Sequence, residues 1–220
     1  MSEAIVQLNN VYLKSDRATE VFRDLSLTIQ PGESVLVVGS AGSGKTLLTH
    51  LLLGLRFPES GAVELFGELV KKRRQGRLRK LRRKIGGVGG PFQLLPTLTA
   101  GDNITLPLVV AGEPRRVIRD RLRKVLTEFS LLRQASAFPH QLTRVEQTLV
   151  LFARASIANQ PLLIVDEPLA GLDLKTADRI YKWMTRVAVS GRSMLILSSD
   201  TLGIELPNCR QYRLENGVLV

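Results

Sequence analysis

Residues 39–46 have the composition and spacing of a phosphate-binding loop. In order they are Gly39, Ser40, Ala41, Gly42, Ser43, Gly44, Lys45 and Thr46, which matches the pattern G-x-x-x-x-G-K-[ST]. The glycines allow backbone N–H groups to converge on a phosphate, and a helix that follows would point its positive end at the same anion. Lys45 can reach the β and γ phosphates, and the Thr46 hydroxyl can ligate Mg²⁺. We therefore predict that this loop binds ATP with Mg²⁺; a glycine-rich turn without a ligand is the alternative.

Two adjacent carboxylates, Asp166 and Glu167, follow the apolar run 162–165. A short apolar run of this kind predicts a buried strand, and ligands in open α/β sheets bind at the carboxyl ends of such strands. Asp166 can hold Mg²⁺ through water, and Glu167 can polarise an attacking water as general base. Any buried strand can end in acids, so the pair gains its significance from the loop at residues 39–46. Together the two motifs predict nucleotide hydrolysis with Lys45 and Glu167 as the catalytic residues.

Buried strands alternating with helices must position these groups. The predicted strands are 4–8, 25–29, 34–38, 62–66, 85–90, 162–165 and 194–198, with a closing hairpin of 212–214 and 218–220; the predicted helices are 46–55, 114–129 and 175–189. Residues 34–38 precede the phosphate-binding loop and residues 46–55 follow it, which is the context that the motif requires. Strands alternating with helices predict an α/β fold with a largely parallel sheet covered on both faces.

Composition and charge limit the remaining possibilities. The 220 residues are 44% hydrophobic, with one cysteine (Cys209), and no apolar run approaches the ~20 residues that span a bilayer. We therefore expect a cytosolic or peripheral protein without an internal disulfide. The net charge is +11, and the segment 71–84 contains ten cations, no acid and no aromatic residue. We interpret this segment as a solvated connector; contact with anionic lipid headgroups comes second, and nucleic acid is disfavoured because no aromatic residue is available for stacking.

Four stretches of sequence together resemble the nucleotide-binding subunit of an ABC transporter: LSLTIQPGESVLVVGSAGSGKT, LLPTLTAGDNITLPLVVAG, FPHQLTRVEQ and LLIVDEPLAGLD. Within that family the chain is most similar to the branch of lipoprotein release, cell division and macrolide efflux. The resemblance implies a P-loop NTPase of the ABC type, with a RecA-like core containing a mixed sheet, an N-terminal antiparallel β subdomain and an inserted helical lobe. It implies one domain over 1–220, with core and β subdomain at about 1–91 and 142–220 and the lobe at about 92–141.

The same resemblance implies the partners. It predicts an ATP-binding subunit on the inner face of the cell membrane, where ATP binding and hydrolysis change the conformation of a membrane permease. Residues 94–107 are the expected permease contact, with a role in the core of the lobe as the alternative. The subunit would form a homodimer, or a heterodimer with another ATP-binding subunit. Tyr12 is the candidate for stacking on adenine, although Ser15 lies nearer the usual offset.

Three positions depart from the pattern of the family. The signature, which is LSGGQ or LSGGE in relatives, reads LTRVE at 142–146; Gly90 stands at the position of the Q-loop glutamine, with Gln93 three residues later; and Ser199 stands where relatives have the switch histidine. We therefore expect slow hydrolysis, unless Thr143, Arg144 or Gln93 takes over a missing role. The alternative is a regulatory ATP-binding module that changes its affinity for a partner without productive turnover.

Overall fold

The computed structural model describes residues 3–15, 19–201 and 205–220. Its strands are β1 (Val6–Lys14), β2 (Glu20–Ile29), β3 (Ser34–Val38), β4 (Ser60–Leu65), β5 (Glu68–Leu69), β6 (Ile85–Val88), β7 (Leu162–Asp166), β8 (Ser193–Ser198), β9 (Cys209–Glu215) and β10 (Val218–Leu219). Its α-helices are α1 (Lys45–Leu52), α2 (Gln75–Arg83), α3 (Ala100–Ala111), α4 (Arg115–Glu128), α5 (Arg144–Ile157) and α6 (Leu174–Val189), and two 3₁₀ turns span Leu132–Gln134 and Pro139–Gln141.

The strands form two sheets. The first is antiparallel in the order β2-β1-β4-β5, and the second has the order β10-β9-β3-β8-β7-β6. In the second sheet all neighbours from β9 to β6 are parallel, whereas β10 runs antiparallel to β9. This arrangement is a RecA-like mixed sheet with an N-terminal antiparallel β subdomain, and it confirms the predicted fold class.

The central strands of the second sheet are buried on both faces. Every residue of β3, β7 and β8 is buried, and successive side chains of a strand point to opposite faces. Accordingly, Leu36 and Val38 of β3 belong to one hydrophobic cluster, which includes Phe152 and Trp183 from helices α5 and α6. Val35 and Val37 belong to the other cluster, which contains α1 and the antiparallel sheet. The apolar runs of the sequence therefore became two-sided core strands, as predicted.

The basic segment 71–84 contains a helix, so its interpretation as a solvated connector is incomplete. Helix α2 buries Leu78 and Leu81, whereas most of the cations between them and on either side stay exposed. Arg82 donates from Nε to the carbonyl oxygen of Leu53 at 2.6 Å and from a terminal nitrogen to that of Gly54 at 3.2 Å. The two leucines are too few to give a periodic signal in the sequence, and the helix depends on the core beneath it.

Two helices, α3 and α4, lie in the chain between β6 and β7 and pack against α5. Thr99 caps α3 by accepting a hydrogen bond from the Asp102 amide, and Gly112 ends it with φ of 77°. A lobe boundary at about 92 and 141 agrees with this element order and stays a prediction. In the described residues no helix combines the length and the apolar character needed to cross a bilayer.

Candidate functional site

The phosphate-binding loop connects β3 to α1 at the carboxyl edge of the sheet. Gly44 is the N-cap of α1 with φ of 107°, and a Cβ atom there would lie 2.7 Å from Val21 Cγ1 and 2.9 Å from Phe22 Cε1. Any other residue would therefore be strained by this backbone conformation and would have to displace these two side chains. The register of the sheet pairs Val38 with Ser198 and Leu197 with Asp166. Because of this register, residues 39, 167 and 199 leave three neighbouring strands at the same edge.

Lys45 is the first residue of α1 and is 7% exposed. Its ammonium group donates to the carbonyl oxygens of Gly39 and, at 3.1 Å, of Ser40. Lys45 Nζ also lies 3.6 Å from Glu167 Oε1. The Lys45 ammonium group therefore contacts both the phosphate-binding loop and the predicted general base, a position from which it could bind an anionic phosphate.

Asp166 ends β7 and is 7% exposed. Burial raises the pKa of its carboxyl group, an effect that the hydrogen bond from Thr46 partly offsets and the charge of Glu167 reinforces. The Thr46 hydroxyl donates to Asp166 Oδ2 at 3.3 Å. A buried carboxylate beside a hydroxyl is a hard oxygen donor set of the kind that Mg²⁺ prefers. The described residues contain no cluster of three His, Cys, Asp or Glu side chains that could hold a metal. The pair therefore suits Mg²⁺ that keeps waters and phosphate oxygens as its other ligands.

Glu167 adopts a left-handed backbone conformation, with φ of 52°. This conformation is uncommon for a residue other than glycine, and such residues concentrate at functional sites. The Glu167 amide donates to the Leu197 carbonyl oxygen at 2.8 Å, and Ser199 Oγ donates to Glu167 Oε2 at 3.1 Å. Lys45 and Ser199 therefore contact one carboxylate oxygen each. The sequence showed Ser199 only as a missing histidine, because a contact between residues 32 positions apart depends on the sheet.

A cavity of about 500 Å³ contains most of the predicted site. Its lining consists of Ala41, Gly42, Gly44, Lys45, Thr46, Leu47, Gly90, Asp166 and Glu167. Gly39, Ser40 and Ser43 line a neighbouring cavity together with Ser199. The structure thus brings the loop residues and both carboxylates together. Their roles in binding and catalysis stay predictions.

Gly90 lies against Asp166 with φ of 50°. A Cβ atom on Gly90 would be 2.6 Å from Asp166 Oδ2, which is closer than real Cβ contacts come. Gln93 is exposed, and its Nε2 lies 3.4 Å from the Gly90 carbonyl oxygen. The Gln93 side chain is absent from the described lining of the cavity at Asp166. In this conformation Gly90 offers no side-chain amide, and the side-chain amide of Gln93 is directed to the Gly90 carbonyl oxygen.

The altered signature forms the N-terminus of α5. Thr143 is the N-cap, and its hydroxyl accepts from the Glu146 amide at 3.2 Å while the Glu146 carboxylate accepts from the Thr143 amide at 2.8 Å. The bond donated by the Thr143 amide lowers the pKa of Glu146 most, and the bonds that the Thr143 hydroxyl and the Gln134 side chain donate to the same carboxylate lower it further. Arg144 is exposed, and Val145 packs against the core. The segment therefore keeps a well-capped helix although both signature glycines are replaced.

Tyr12 lies on β1 opposite Ser60 and is 38% exposed. It is not among the described residues that line the three cavities next to the phosphate-binding loop. Its stacking on adenine stays a prediction, and the structure does not place it beside the loop.

Comparisons with known proteins agree with this geometry. The family model described as "ABC transporter" matches residues 22–170. The lipoprotein-releasing system ATP-binding protein LolD of Bordetella pertussis is 36% identical over 96% of this chain and 92% of its own length. The cell division ATP-binding protein FtsE of Streptococcus pneumoniae is 30% identical over 99% and 94%. The macrolide export ATP-binding/permease protein MacB of Rhodopseudomonas palustris is 31% identical over 97% of this chain, which spans only 32% of MacB.

The solved structures lead to the same family. An ATP-binding cassette captured as a dimer in a post-hydrolysis state with ADP and Pi matches with a TM-score of 0.86 and 29% identity, over 97% of this chain and 96% of its own. A dimeric bacterial ABC transporter cassette matches with a TM-score of 0.87 and 28% identity, over the same shares. With a family model over more than half of the chain and curated relatives over nearly all of it, the resemblance of the motifs is confirmed: the chain belongs to the ABC transporter family, as an ATP-binding cassette of the branch that includes LolD, FtsE and MacB.

Proposed function

We propose that this chain binds ATP with Mg²⁺ in the cavity between the phosphate-binding loop and β7, hydrolyses it slowly, and couples this cycle to conformational change of a membrane permease. One observation carries the proposal. Lys45, Thr46, Asp166 and Glu167 come from two distant parts of the chain and meet around one cavity, with contacts of 3.3 Å between Thr46 and Asp166 and 3.6 Å between Lys45 and Glu167. These are the binding and catalytic groups that phosphoryl transfer requires.

The phosphates bind to the loop at residues 39–46. Backbone amides of the loop and of the first turn of α1 donate to phosphate oxygens, and Lys45 moves its ammonium from the loop carbonyls toward the β and γ phosphates. Thr46 and Asp166 would hold Mg²⁺, Asp166 through water. When bound, Mg²⁺ neutralises part of the charge on the phosphate oxygens.

Glu167 accepts a proton from the attacking water. The water oxygen bonds to the γ phosphorus while the bond to the β–γ bridging oxygen breaks, so that ADP and inorganic phosphate leave. Ser199 and Lys45 orient the carboxylate from its two oxygens. Because phosphate would draw Lys45 away, Ser199 is the donor that remains on Glu167 during the reaction.

Three features support slow turnover. Ser199 has no cationic form near neutral pH, so it cannot make the charged contact of a histidine with the γ phosphate. Gly90 has no side chain, and its backbone leaves no room for one beside Asp166. Arg144 and Val145 carry side chains where the glycines of the signature let backbone approach phosphate. Each change removes an interaction that positions the reacting groups, and positioning supplies most of the catalysis in phosphoryl transfer.

Partners follow from the family. The lining of an apolar groove of about 580 Å³ includes Phe92, Leu106, Pro107, Leu108 and Val110, and Leu95 and Val109 are exposed nearby in sequence. We propose that the permease contacts residues 94–107 and this groove, which would hold the chain at the inner face of the cell membrane.

Two cassettes would act together, either as a homodimer or as a heterodimer in which a partner supplies an intact signature; the similar solved cassettes are dimers. Tyr12 is the proposed residue for stacking on adenine.

The test is steady-state ATP hydrolysis by the purified chain, alone and with its co-purifying membrane proteins. Lys45→Ala should abolish nucleotide binding, and Glu167→Gln should keep binding but lose turnover. Chelation of Mg²⁺ should abolish turnover in the unaltered chain. Nucleotide binding with no turnover in any preparation would refute the proposal and favour a regulatory module. The retained Glu167 argues against that outcome, because a protein that only binds ATP needs no general base.

A further inference from the structure

The positive charge of this protein is concentrated in one short segment. Residues 71–84 contain ten cations, and subtracting them from the net charge of +11 leaves +1 for the rest of the chain. Lys71, Lys72, Arg73, Arg74, Arg77, Arg79, Lys80, Arg83 and Lys84 are all exposed. The exception is Arg82, which is partly buried and bonds to the end of α1. We call the nine exposed cations the α2 basic surface.

The acidic side chains of the described residues neutralise little of this surface. In the described part of the chain, Arg77 alone among the nine has an acidic partner, Glu68 at 3.7 Å. Lys84 lies over the ring of Phe66 at 4.9 Å. The remaining cations are therefore available to an external anion, and they repel one another while none is bound.

Local helix chemistry makes the arrangement costly. Arg73 and Arg74 lie at the positive N-terminal end of α2, which has no acid in its first turn. Gly76 is the second residue of the helix, and a Cβ atom there would meet nothing within 4 Å. Cations at a helix N-terminus oppose helix formation, and glycine has a lower helix propensity than most other residues. The helix is held instead by Leu78, which lies against Gly54 in the buried core, and by Arg82. Helix α2 therefore forms against its own helix propensity and terminal charge, because the core fixes it. Such conflicts between local sequence and structure are typical of functional surfaces.

The α2 basic surface continues into the groove proposed to receive the permease. Arg83 and Lys84 line that groove together with Leu55, which is 49% exposed, and Val110, which is 47% exposed. Arg79 lies one helical turn before Arg83 and so shares its face. Cations beside exposed aliphatic side chains match a lipid–water interface, where headgroups take the charge and acyl chains take the apolar groups. Nucleic acid would favour interleaved aromatic or hydrogen-bonding side chains, and the segment has one glutamine and no aromatic residue.

We propose that α2 is an electrostatic membrane contact that binds anionic phospholipid headgroups beside the permease. The inference rests on the proposed function, because docking on a permease is what brings this face to a bilayer. Basic residues near an anionic leaflet each strengthen binding about five-fold, and the attraction declines within a Debye length of about 8 Å at physiological salt. Only the cations of the face turned to the bilayer would count fully.

The experiment measures binding of the purified chain to vesicles of phosphatidylcholine alone and of phosphatidylcholine with about 30% phosphatidylglycerol, a fraction chosen on the order of natural anionic lipid content. The test variant replaces Arg73, Arg74, Arg79 and Lys80 with Gln. The matched control replaces four exposed cations of α4, Arg115, Arg116, Arg119 and Lys124, with Gln, so that the net charge falls equally. Thermal unfolding verifies that both variants fold.

The unaltered chain should bind the anionic vesicles but not the neutral ones, and about 0.5 M salt should release it. The α2 variant should bind on the order of a hundredfold more weakly, and the α4 control within a few-fold of the unaltered chain. Equal losses in the two variants would show that net charge alone drives binding and would overturn the proposal. Duplex DNA bound more tightly than vesicles at the same salt, and lost in the α2 variant, would also overturn it in favour of nucleic acid.

The vesicle result is independent of the proposed ATPase. ATP hydrolysis by the α2 variant, measured in detergent, should equal that of the unaltered chain, because none of the four replaced residues contacts the cavity at Asp166. Loss of vesicle binding with normal hydrolysis supports the lipid contact. Specific vesicle binding by a chain that never hydrolyses ATP would leave the lipid contact standing while refuting the proposed function.

Discussion

Replacing Gly90 with the glutamine that relatives carry should damage this protein rather than repair it. The resemblance alone would suggest that Gly90→Gln restores a missing ligand for Mg²⁺. In the structure, however, a Cβ atom at residue 90 would lie 2.6 Å from Asp166 Oδ2, and the backbone there has φ of 50°. Any side chain at this position must push the Asp166 carboxylate away from Thr46 or change the course of the chain.

The expected loss can be worked out from these two features. Holding a residue other than glycine in the left-handed region costs roughly 1–2 kcal/mol. Displacing the Asp166 carboxylate breaks its hydrogen bond to Thr46; at 3.3 Å this bond is long, so the lower end of the range for charged groups applies, about 1.5 kcal/mol. Together the free energy of unfolding should fall by about 2.5–3.5 kcal/mol, and in a domain of this size Tm should fall by roughly 5–14 °C.

Thermal unfolding with and without Mg²⁺ and ATP is the assay. Gly90→Ala introduces the same Cβ atom without the amide, so it should lower Tm about as much as Gly90→Gln. Gln93→Ala is the control, because its exposed side chain lies outside the cavity at Asp166, and its Tm should stay within about 1 °C. Both residue-90 variants should also gain less stability from ATP. A Gly90→Gln variant with the Tm of the unaltered chain and faster ATP hydrolysis would contradict the expected clash with Asp166.

Three further predictions concern single contacts. Ser199→Ala should lower kcat about five-fold, equivalent to about 1 kcal/mol, because the Glu167 carboxylate loses a hydrogen-bond donor. Ser199→Thr keeps the hydroxyl and should keep most of the rate. Equal rates in the unaltered chain and both variants would contradict a positioning role for Ser199. Arg82→Ala should lower the free energy of unfolding by about 1–3 kcal/mol because two carbonyl groups at the end of α1 lose their hydrogen-bond donors. Arg82→Lys should recover only part of the lost stability. An unchanged denaturation midpoint for Arg82→Ala would contradict this role. The hydrogen bonds at the start of α5 lower the pKa of Glu146, so the stability that this carboxylate contributes is complete above the pKa of an unfolded glutamate and is lost as the pH falls through the lowered folded-state pKa. Acid should therefore destabilise the unaltered chain more than it destabilises Glu146→Gln. Parallel acid denaturation curves for the two proteins would exclude this contribution.

The sequence predicted the central strands because local patterns delimit them. Strand β3 has the predicted limits, Ser34–Val38, since turn residues precede it and the glycine-rich loop follows. The first strand was predicted too short, as 4–8, whereas β1 runs from Val6 to Lys14. Its register against β2 shifts after Leu8, and such irregularities disturb the alternation on which a strand prediction depends. Helix α2 was missed because its stability comes from burying Leu78 and Leu81 in the core rather than from its own composition.

The chemistry at residues 39–46, 166 and 167 could be predicted from the sequence, because a phosphate-binding loop is a local motif: the spacing of glycines, lysine and threonine already contains the geometry that a phosphate needs. The register of β3, β8 and β7 decided what this motif meets. It brings Thr46 to Asp166 across 120 positions of sequence and Ser199 to Glu167 across 32. It also presses Gly90 against the Asp166 carboxylate. These contacts depend on which strands pair and where each one ends, so the sequence could identify Ser199 and Gly90 at the positions of the absent histidine and glutamine, whereas only the tertiary structure decided what these two residues contact.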